Sequence, residues 1–273
     1  MNYVQVKGMS LPDTYHKALV ALKEYGDIVP CPDYNTEMIE CSMDMIVQKP
    51  LLEPMISKCG IYSPKDLQQY MLEIREGIFD FVIGKDENLW EYTYHERIAD
   101  QIPFVLEELK RNIWSRRAVI DVRKNSVDMF NDHPACLQHI QFLARRDLSN
   151  KEPKLDMIVT MRSNDATQAT FMNAFGFIMG LQKLVADNLG LELGHYVHRV
   201  GSFHAYKTHW KELFHAVSKI KESETKDLCY YYDSHNSNYL PKEPFVEWRP
   251  MMEASMEEIM RLVKDEKEKY GVE

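Results

Sequence analysis

Cys136-Leu-Gln-His-Ile-Gln-Phe142, Leu155-Asp-Met-Ile-Val-Thr-Met-Arg-Ser-Asn-Asp165 and Phe171-Met-Asn173 are the segments on which the reading of this chain turns. Leu137 to Ala144 alternates apolar and polar residues well enough for a half-buried strand. Leu155 to Met161 is denser in apolar residues and predicts a buried one. The first strand is preceded by a thiol, and the second closes on Arg162, Ser163 and Asp165. A thiol, a cation, a hydroxyl and a carboxyl gathered at strand ends predict nucleophilic chemistry on an anionic substrate.

The rest of the chain sets limits. At 273 residues it is long enough for a substantial core. No Pro/Gly/Ser-rich linker divides it and no internal repeat appears, so one domain spanning 1–273 is expected. Apolar content of 45% and charged content of 27% are ordinary for a soluble globular protein. A net charge of −9 argues against a general nucleic-acid binder. The five Cys form no CxxC pair, so neither a metal site nor a disulfide framework is expected. Free thiols predict a reducing, cytoplasmic compartment. The first residues, Met-Asn-Tyr-Val-Gln-Val-Lys, do not read as a signal peptide, and no run approaches a membrane-spanning length. Sixteen Met read as adaptable core filling.

Taken in order, residues 12–25 predict an amphipathic helix, with Asp13 near its start and Gly26 at its end. Ile28 to Tyr34 holds two Pro and an Asp and reads as a loop. Met38 to Val47 alternates at Ile39, Cys41, Met43 and Met45, as a strand does. Ser63-Pro64 opens a helix whose buried face carries Leu67, Met71, Ile74, Ile78 and Phe81. Ile98 to Arg111 predicts another, with Ile102, Val105, Leu106 and Leu109 inward, and Ala118 to Val122 a strand. Phe171 to Leu189 reads as a long, central, buried helix. Gly194 to Tyr206 returns as strand and Thr208 to Lys221 as helix. Tyr230 to Tyr239 has no clear period. Met252 to Tyr270 is a final charged amphipathic helix.

These blocks resemble the thymidylate synthase and pyrimidine-nucleotide hydroxymethylase family. The likeness is carried by Cys136 with Gln141-Phe142, by Arg162-Ser-x-Asp165 with Asn173, by Ser115-Arg116-Arg117, and by Gly201-Ser-Phe-His204-Ala-Tyr206. They stand in the family's order and spacing over residues 92–210. The resemblance implies an α/β fold with a mixed, twisted sheet packed by helices. It implies transfer of one carbon from 5,10-methylenetetrahydrofolate to C5 of a pyrimidine nucleoside monophosphate, and a homodimer.

The resemblance also assigns roles. The Cys136 thiolate adds to C6 of the base, which makes C5 nucleophilic. A free thiol titrates at about 8.5, so the site is expected to lower it, with Arg162 or Arg117 the agents. Leu137 stands where the family usually has His. Glu73 would organise water around the base and relay protons. Tyr94 would line the site, although His95 replaces the Gly that follows it in the family. Arg162 and Ser163 would bind phosphate from their own subunit, and Arg116 and Arg117 from the partner subunit, because an Arg fork grips two oxygens. Gln141 and Asp165 belong to the family's site blocks. His204 and Tyr206 alternate on one strand face and would bind the sugar 3′-hydroxyl. The Asn173 amide, donor and acceptor together, matches N3–H and O4 of uracil.

Three outcomes stand open: hydroxymethylation, methylation to a thymidylate, and an idle nucleotide-binding protein. The third needs a lost catalytic group, yet Cys136, Asp165 and Asn173 are present. Methylation needs water kept from an exocyclic methylene. The segment Lys269-Tyr-Gly-Val-Glu273 is not an apolar tail, and Met172 breaks the usual Pro-Phe-Asn run. The runs Met161–Asp165 and Val200–Tyr206 look closer to bacteriophage dCMP hydroxymethylases. The expectation is hydroxymethylation of dUMP, with CMP or dCMP the alternative substrates, by an enzyme acting in the cytoplasm, a phage host's included.

Overall fold

A computed structural model describes residues 2–85, 91–146, 152–233, 235 and 246–272. In chain order the elements are β1 (Tyr3–Gly8), α1 (Leu11–Tyr25), β2 (Asp27–Cys31), β3 (Thr36–Val47), β4 (Ile56–Ser57), α2 (Pro64–Glu76), α3 (Tyr94–Ile98), α4 (Ile102–Arg111), β5 (Val119–Asp121) and α5 (Asn125–Asp128). There follow β6 (Leu137–Arg145), β7 (Lys154–Asp165), α6 (Thr170–Gly176), α7 (Lys183–Leu189), β8 (Glu192–Tyr206), α8 (Trp210–Glu222), β9 (Cys229–Tyr230), α9 (Trp248–Ala254) and α10 (Met256–Tyr270).

Seven strands make one sheet in the order β1-β3-β8-β7-β6-β5, with β2 also paired to β3. The β1–β3 and β7–β8 pairs are parallel and the others antiparallel, so the sheet is mixed and the fold is α/β. Strands β4 and β9 form a separate ribbon. Period-two alternation decides which face is covered. Leu155, Met157, Val159 and Met161 of β7 are buried among the helices, whereas Ile158 and Thr160 on the opposite face are half-buried.

The helices start where the sequence supplies caps. Ser10 accepts from the Asp13 amide, and Ser63 and Asp66 form a reciprocal capping box with Pro64 in the first turn. The core is threaded by one continuous helix made of α6, a π-helical stretch Phe177–Gln182, and α7. Phe171, Phe175, Phe177, Ile178, Leu181 and Val185 are all buried, which explains why the segment is apolar on every side. Truncating one of these Phe to Ala would cost about 3–5 kcal/mol. Helix α2 lies across this helix because Gly176 makes room. A Cβ there would sit 2.6 Å from Tyr70 Cδ1. On its outer side α2 meets α10, through Leu72 against Ile259 and Val263.

Four expectations need correction. Ile28–Tyr34 is not a loop: Asp27–Cys31 is a strand and Pro32–Tyr34 a 3₁₀ turn. Pro30 is tolerated because β2 is an edge strand, paired among the described residues only to β3. The helix expected over 98–111 breaks into α3, a 3₁₀ turn Ala99–Gln101 and α4. Its Pro103 sits in the first turn of α4, where a missing N–H costs nothing. The last helix is two, α9 and α10, meeting at Ser255. Helix α2 ends at Glu76 on left-handed Gly77, so Ile78 and Phe81 lie beyond it. The segment 230–239 lies partly outside the described residues.

Candidate active site

The parallel pairing of β7 with β8 builds one half of the site. Ser163 is registered with Ser202, and Asp165 with His204. Gly201 allows this approach, since a Cβ there would meet the Arg162 carbonyl at 2.9 Å. His204 Nδ1 lies 3.0 Å from the Ser202 carbonyl and 3.5 Å from Ser163 Oγ. Its ring meets Tyr206 edge-on at 4.9 Å, so the two share a face.

Cys136 precedes β6 and is tied to β7 through the backbone, the Arg162 amide donating to its carbonyl at 2.8 Å. The Arg162 guanidinium reaches back as well. Nε donates to the Ala135 carbonyl at 3.2 Å and Nη2 to the Pro134 carbonyl at 2.8 Å. The thiol-bearing segment is therefore held by the same cation that would meet a phosphate. On the other side the Leu137 amide donates to the Tyr94 hydroxyl at 3.4 Å. The half-buried thiol is pushed up by desolvation, and Arg162 pulls it down less strongly. The expected lowered thiol is thus corrected: burial outweighs one cation, and Arg117 is not near enough to help.

Helices α2 and α6 bring Glu73 and Asn173 toward each other through Tyr70. Glu73 is buried on α2, and desolvation lifts its carboxyl to about 7, against a donor from Gln69 at 2.9 Å. Asn173, buried on α6, meets the Tyr70 hydroxyl through Oδ1, while Nδ2 lies 3.4 Å from Asn164 Oδ1. Asp165 has a local duty. Its Oδ1 accepts from Thr167 N, Thr167 Oγ1 and Gln168 N at 2.7–2.9 Å, closing the turn into α6.

Three expected residues lie elsewhere in the chain. The Gln141 amide donates to the Arg116 carbonyl at 3.0 Å, five residues along β6 from the thiol, or roughly 16 Å. The Phe142 amide bonds the Ala118 carbonyl, which sets Arg116 and Arg117 roughly 20 Å from Cys136. Gln141 therefore braces the Arg loop and does not face the thiol of its own chain. Arg117 is exposed, its Nε 3.0 Å from Glu108. Bonds from Arg111, Ser115 and Arg117 hold the Glu108 carboxyl at about 2.

Sequence reading missed Tyr70, Asn164 and Tyr92, whose hydroxyl bonds the backbone of Cys136. Tyr70 precedes Glu73 by one helical turn, a spacing that puts both on one face, and this was the available signal. A cleft of about 760 Å³ at the other end of the sheet, lined by Arg145, Lys154, Asp156 and His195, contains none of these groups.

The sequence model of the family described as "Thymidylate synthase" matches residues 62–235. The chain belongs to the thymidylate synthase family. A Methanocaldococcus jannaschii protein named "Putative thymidylate synthase" is 27% identical over 208 residues, 74% of this chain and 90% of that one. The thymidylate synthase of Bacillus licheniformis is 32% identical over 132 residues, 48% of this chain and 43% of its own. The thermostable thymidylate synthase A from Bacillus subtilis has the same fold, with a TM-score of 0.60 at 18% identity, covering 77% of this chain and 84% of that one. Thymidylate synthase family membership makes the chain a folate-dependent one-carbon transferase with 5,10-methylenetetrahydrofolate as co-substrate. Among the described residues no helix is long and apolar enough to cross a membrane.

Proposed function

We propose that the protein hydroxymethylates dUMP at C5. The observations that carry this reading are that Arg162 holds the Cys136 segment and that Asn173 meets Tyr70 on α2, one turn before the buried Glu73. The Cys136 thiolate attacks C6 and the electron pair moves to C5 and O4. Arg162 and Ser163 hold the phosphate. Asn173 accepts from uracil N3–H and donates to O4. His204 and Tyr206 bond the sugar hydroxyl. Asp165, with Oδ1 committed to its turn, is carried over as a catalytic residue of the same block.

C5 attacks the methylene carbon of the folate. Loss of the C5 proton and cleavage of the carbon–nitrogen bond to tetrahydrofolate leave an exocyclic methylene. Water adds to it for a hydroxymethyl product, and the Cys136 sulfur then leaves C6 as the ring double bond re-forms. Glu73, titrating at about 7, suits proton removal from that water. The likeness of Met161–Asp165 and Val200–Tyr206 to hydroxymethylases points the same way. A second reading, methylation to dTMP, is favoured by the names of the relatives. Arg116 and Arg117, before β5 and beside the far end of β6 from Cys136, support a homodimer in which they reach the partner's phosphate. The test is to incubate the protein with dUMP, dCMP or CMP and the folate, and weigh the nucleotide product. A hydroxymethyl adduct with tetrahydrofolate released is expected. A methylated base with dihydrofolate absorbance would overturn the choice of product.

A further inference from the structure

Behind Asn173 runs a buried chain of polar groups. Tyr196 Oη lies 2.6 Å from His198 Nδ1, and His198 Nε2 lies 3.1 Å from Asn164 Nδ2. Asn164 Oδ1 lies 2.8 Å from Thr170 Oγ1 and 3.4 Å from Asn173 Nδ2. Asn173 Oδ1 then meets the Tyr70 hydroxyl. Tyr196, His198, Asn164, Thr170 and Asn173 are each less than a tenth exposed.

Counting protons along this chain fixes which way each amide points. Thr170 Oγ1 is 2.8 Å from Asn164 Oδ1 and also 2.8 Å from the Asp165 carbonyl. One hydroxyl proton cannot serve two oxygens. Turning the Asn164 amide end for end removes the conflict, because Nδ2 then donates to Thr170 while Thr170 donates to Asp165. The Tyr196 hydroxyl gives an independent count. Its one partner among the described residues is His198 Nδ1. If Nδ1 carried the proton, the buried phenol would have no acceptor. With the proton on Nε2, the phenol donates to Nδ1, and Nε2–H needs an oxygen at residue 164. Both counts require the same turn of Asn164. Asn164 Nδ2 then also faces Asn173, whose oxygen turns toward it and whose Nδ2 donates to the Tyr70 oxygen, leaving the proton of that half-buried phenol, unlike that of Tyr196, to solvent or ligand. Burial lowers His198 to about 3, so the ring is neutral and has a single N–H to place. Phe177 stacks on that ring at 6.5 Å.

We propose that His198, acting through Asn164, fixes the orientation of the Asn173 amide and thereby determines which pyrimidine base the site accepts. This rests on the reading of Asn173 as the base-recognising residue. With C6 held at Cys136, the amide atom opposite position 4 must donate for uracil and accept for cytosine. An amide free to turn would serve either base; an amide locked from behind serves one. His198 touches no substrate and is a positioning residue.

The test is the ratio of kcat/KM for dUMP over dCMP. Asn164→Asp keeps the shape of the side chain but offers Asn173 only acceptors, so it should turn the amide and lower the ratio at least about tenfold. His198→Phe frees Asn164 and should lower the ratio by more than it lowers kcat for dUMP. A merely structural role would reduce both substrates alike. If Asn173→Asp shifts the ratio while Asn164→Asp and His198→Phe leave it at the wild-type value, the lock is refuted and base reading by Asn173 stands. If Asn173→Asp leaves the ratio unchanged, base reading fails and the lock fails with it. Should the variants not fold, nitrogen-15 NMR of the wild-type His198 ring decides. A proton on Nε2 supports the lock, and a proton on Nδ1 overturns it.

Discussion

Replacing Glu73 by Gln tests the claim that burial holds a proton at the heart of the site. The carboxyl is raised from 4.5 to about 7 by desolvation, against a bond from Gln69. At about 1.4 kcal/mol per pH unit, that interval is worth about 3 kcal/mol. The folded protein binds this proton more tightly than the unfolded chain does. The contribution is therefore complete below about pH 4.5 and is lost as pH rises through about 7. Gln has the same shape and no charge to desolvate. In urea unfolding at about pH 4, variant and wild type should be equally stable; at about pH 9 the variant should be the more stable by about 2–3 kcal/mol. Turnover should move the other way, falling about 10²- to 10⁴-fold with loss of the limb near neutrality in the pH–rate profile. Equal pH dependence of stability in the two proteins would refute the buried carboxyl. Undiminished turnover in the variant would refute the relay.

Three further outcomes are expected. Mixing Cys136→Ala subunits with Arg117→Ala subunits should restore about one competent site per heterodimer, measured as recovered turnover; no recovery would place each Arg in its own subunit's chemistry. Asn173→Asp should shift preference toward the cytosine nucleotide, read as relative kcat/KM for dUMP and dCMP. Gly176→Ala would put a methyl 2.6 Å from Tyr70, so α2 must move, with a loss of about 1–3 kcal/mol in thermal unfolding and weaker nucleotide binding.

The strands that carry the site were legible because their signals are local. Alternation at Ile39, Cys41, Met43 and Met45 gave β3, and the apolar density of Leu155–Met161 gave β7 with its buried face. The central helix was legible from an uninterrupted apolar run, but not the π-helical stretch Phe177–Gln182 inside it, which breaks no apolar pattern. Pro30 misled because a sequence does not say which strand is an edge. Arg162, Ser163, Asp165, His204 and Tyr206 come together because the parallel strands β7 and β8 end side by side, and Cys136 joins them through the antiparallel β6–β7 pairing. That adjacency is tertiary, and the family's spacing supplied it. The separation of Arg117 from Cys136 is set by the β5–β6 pairing. The thiol was misjudged for a physical reason: a neighbouring cation is visible in sequence, whereas desolvation depends on everything packed around the sulfur. Tyr70 and the His198 chain were missed because they join residues on α2, α6, β7 and β8.

The central claim is that the Cys136 sulfur forms the bond to the base. It is tested most directly by giving Cys136→Ser and wild-type protein the same nucleotide and 5,10-methylenetetrahydrofolate, with dUMP affinity measured by calorimetry alongside. The thiol is needed for covalent chemistry rather than for affinity. The account predicts product from the wild type, none from Cys136→Ser, and dUMP binding within about tenfold, or about 1.4 kcal/mol, of wild type. Product formation by Cys136→Ser at more than a few per cent of the wild-type rate would contradict it.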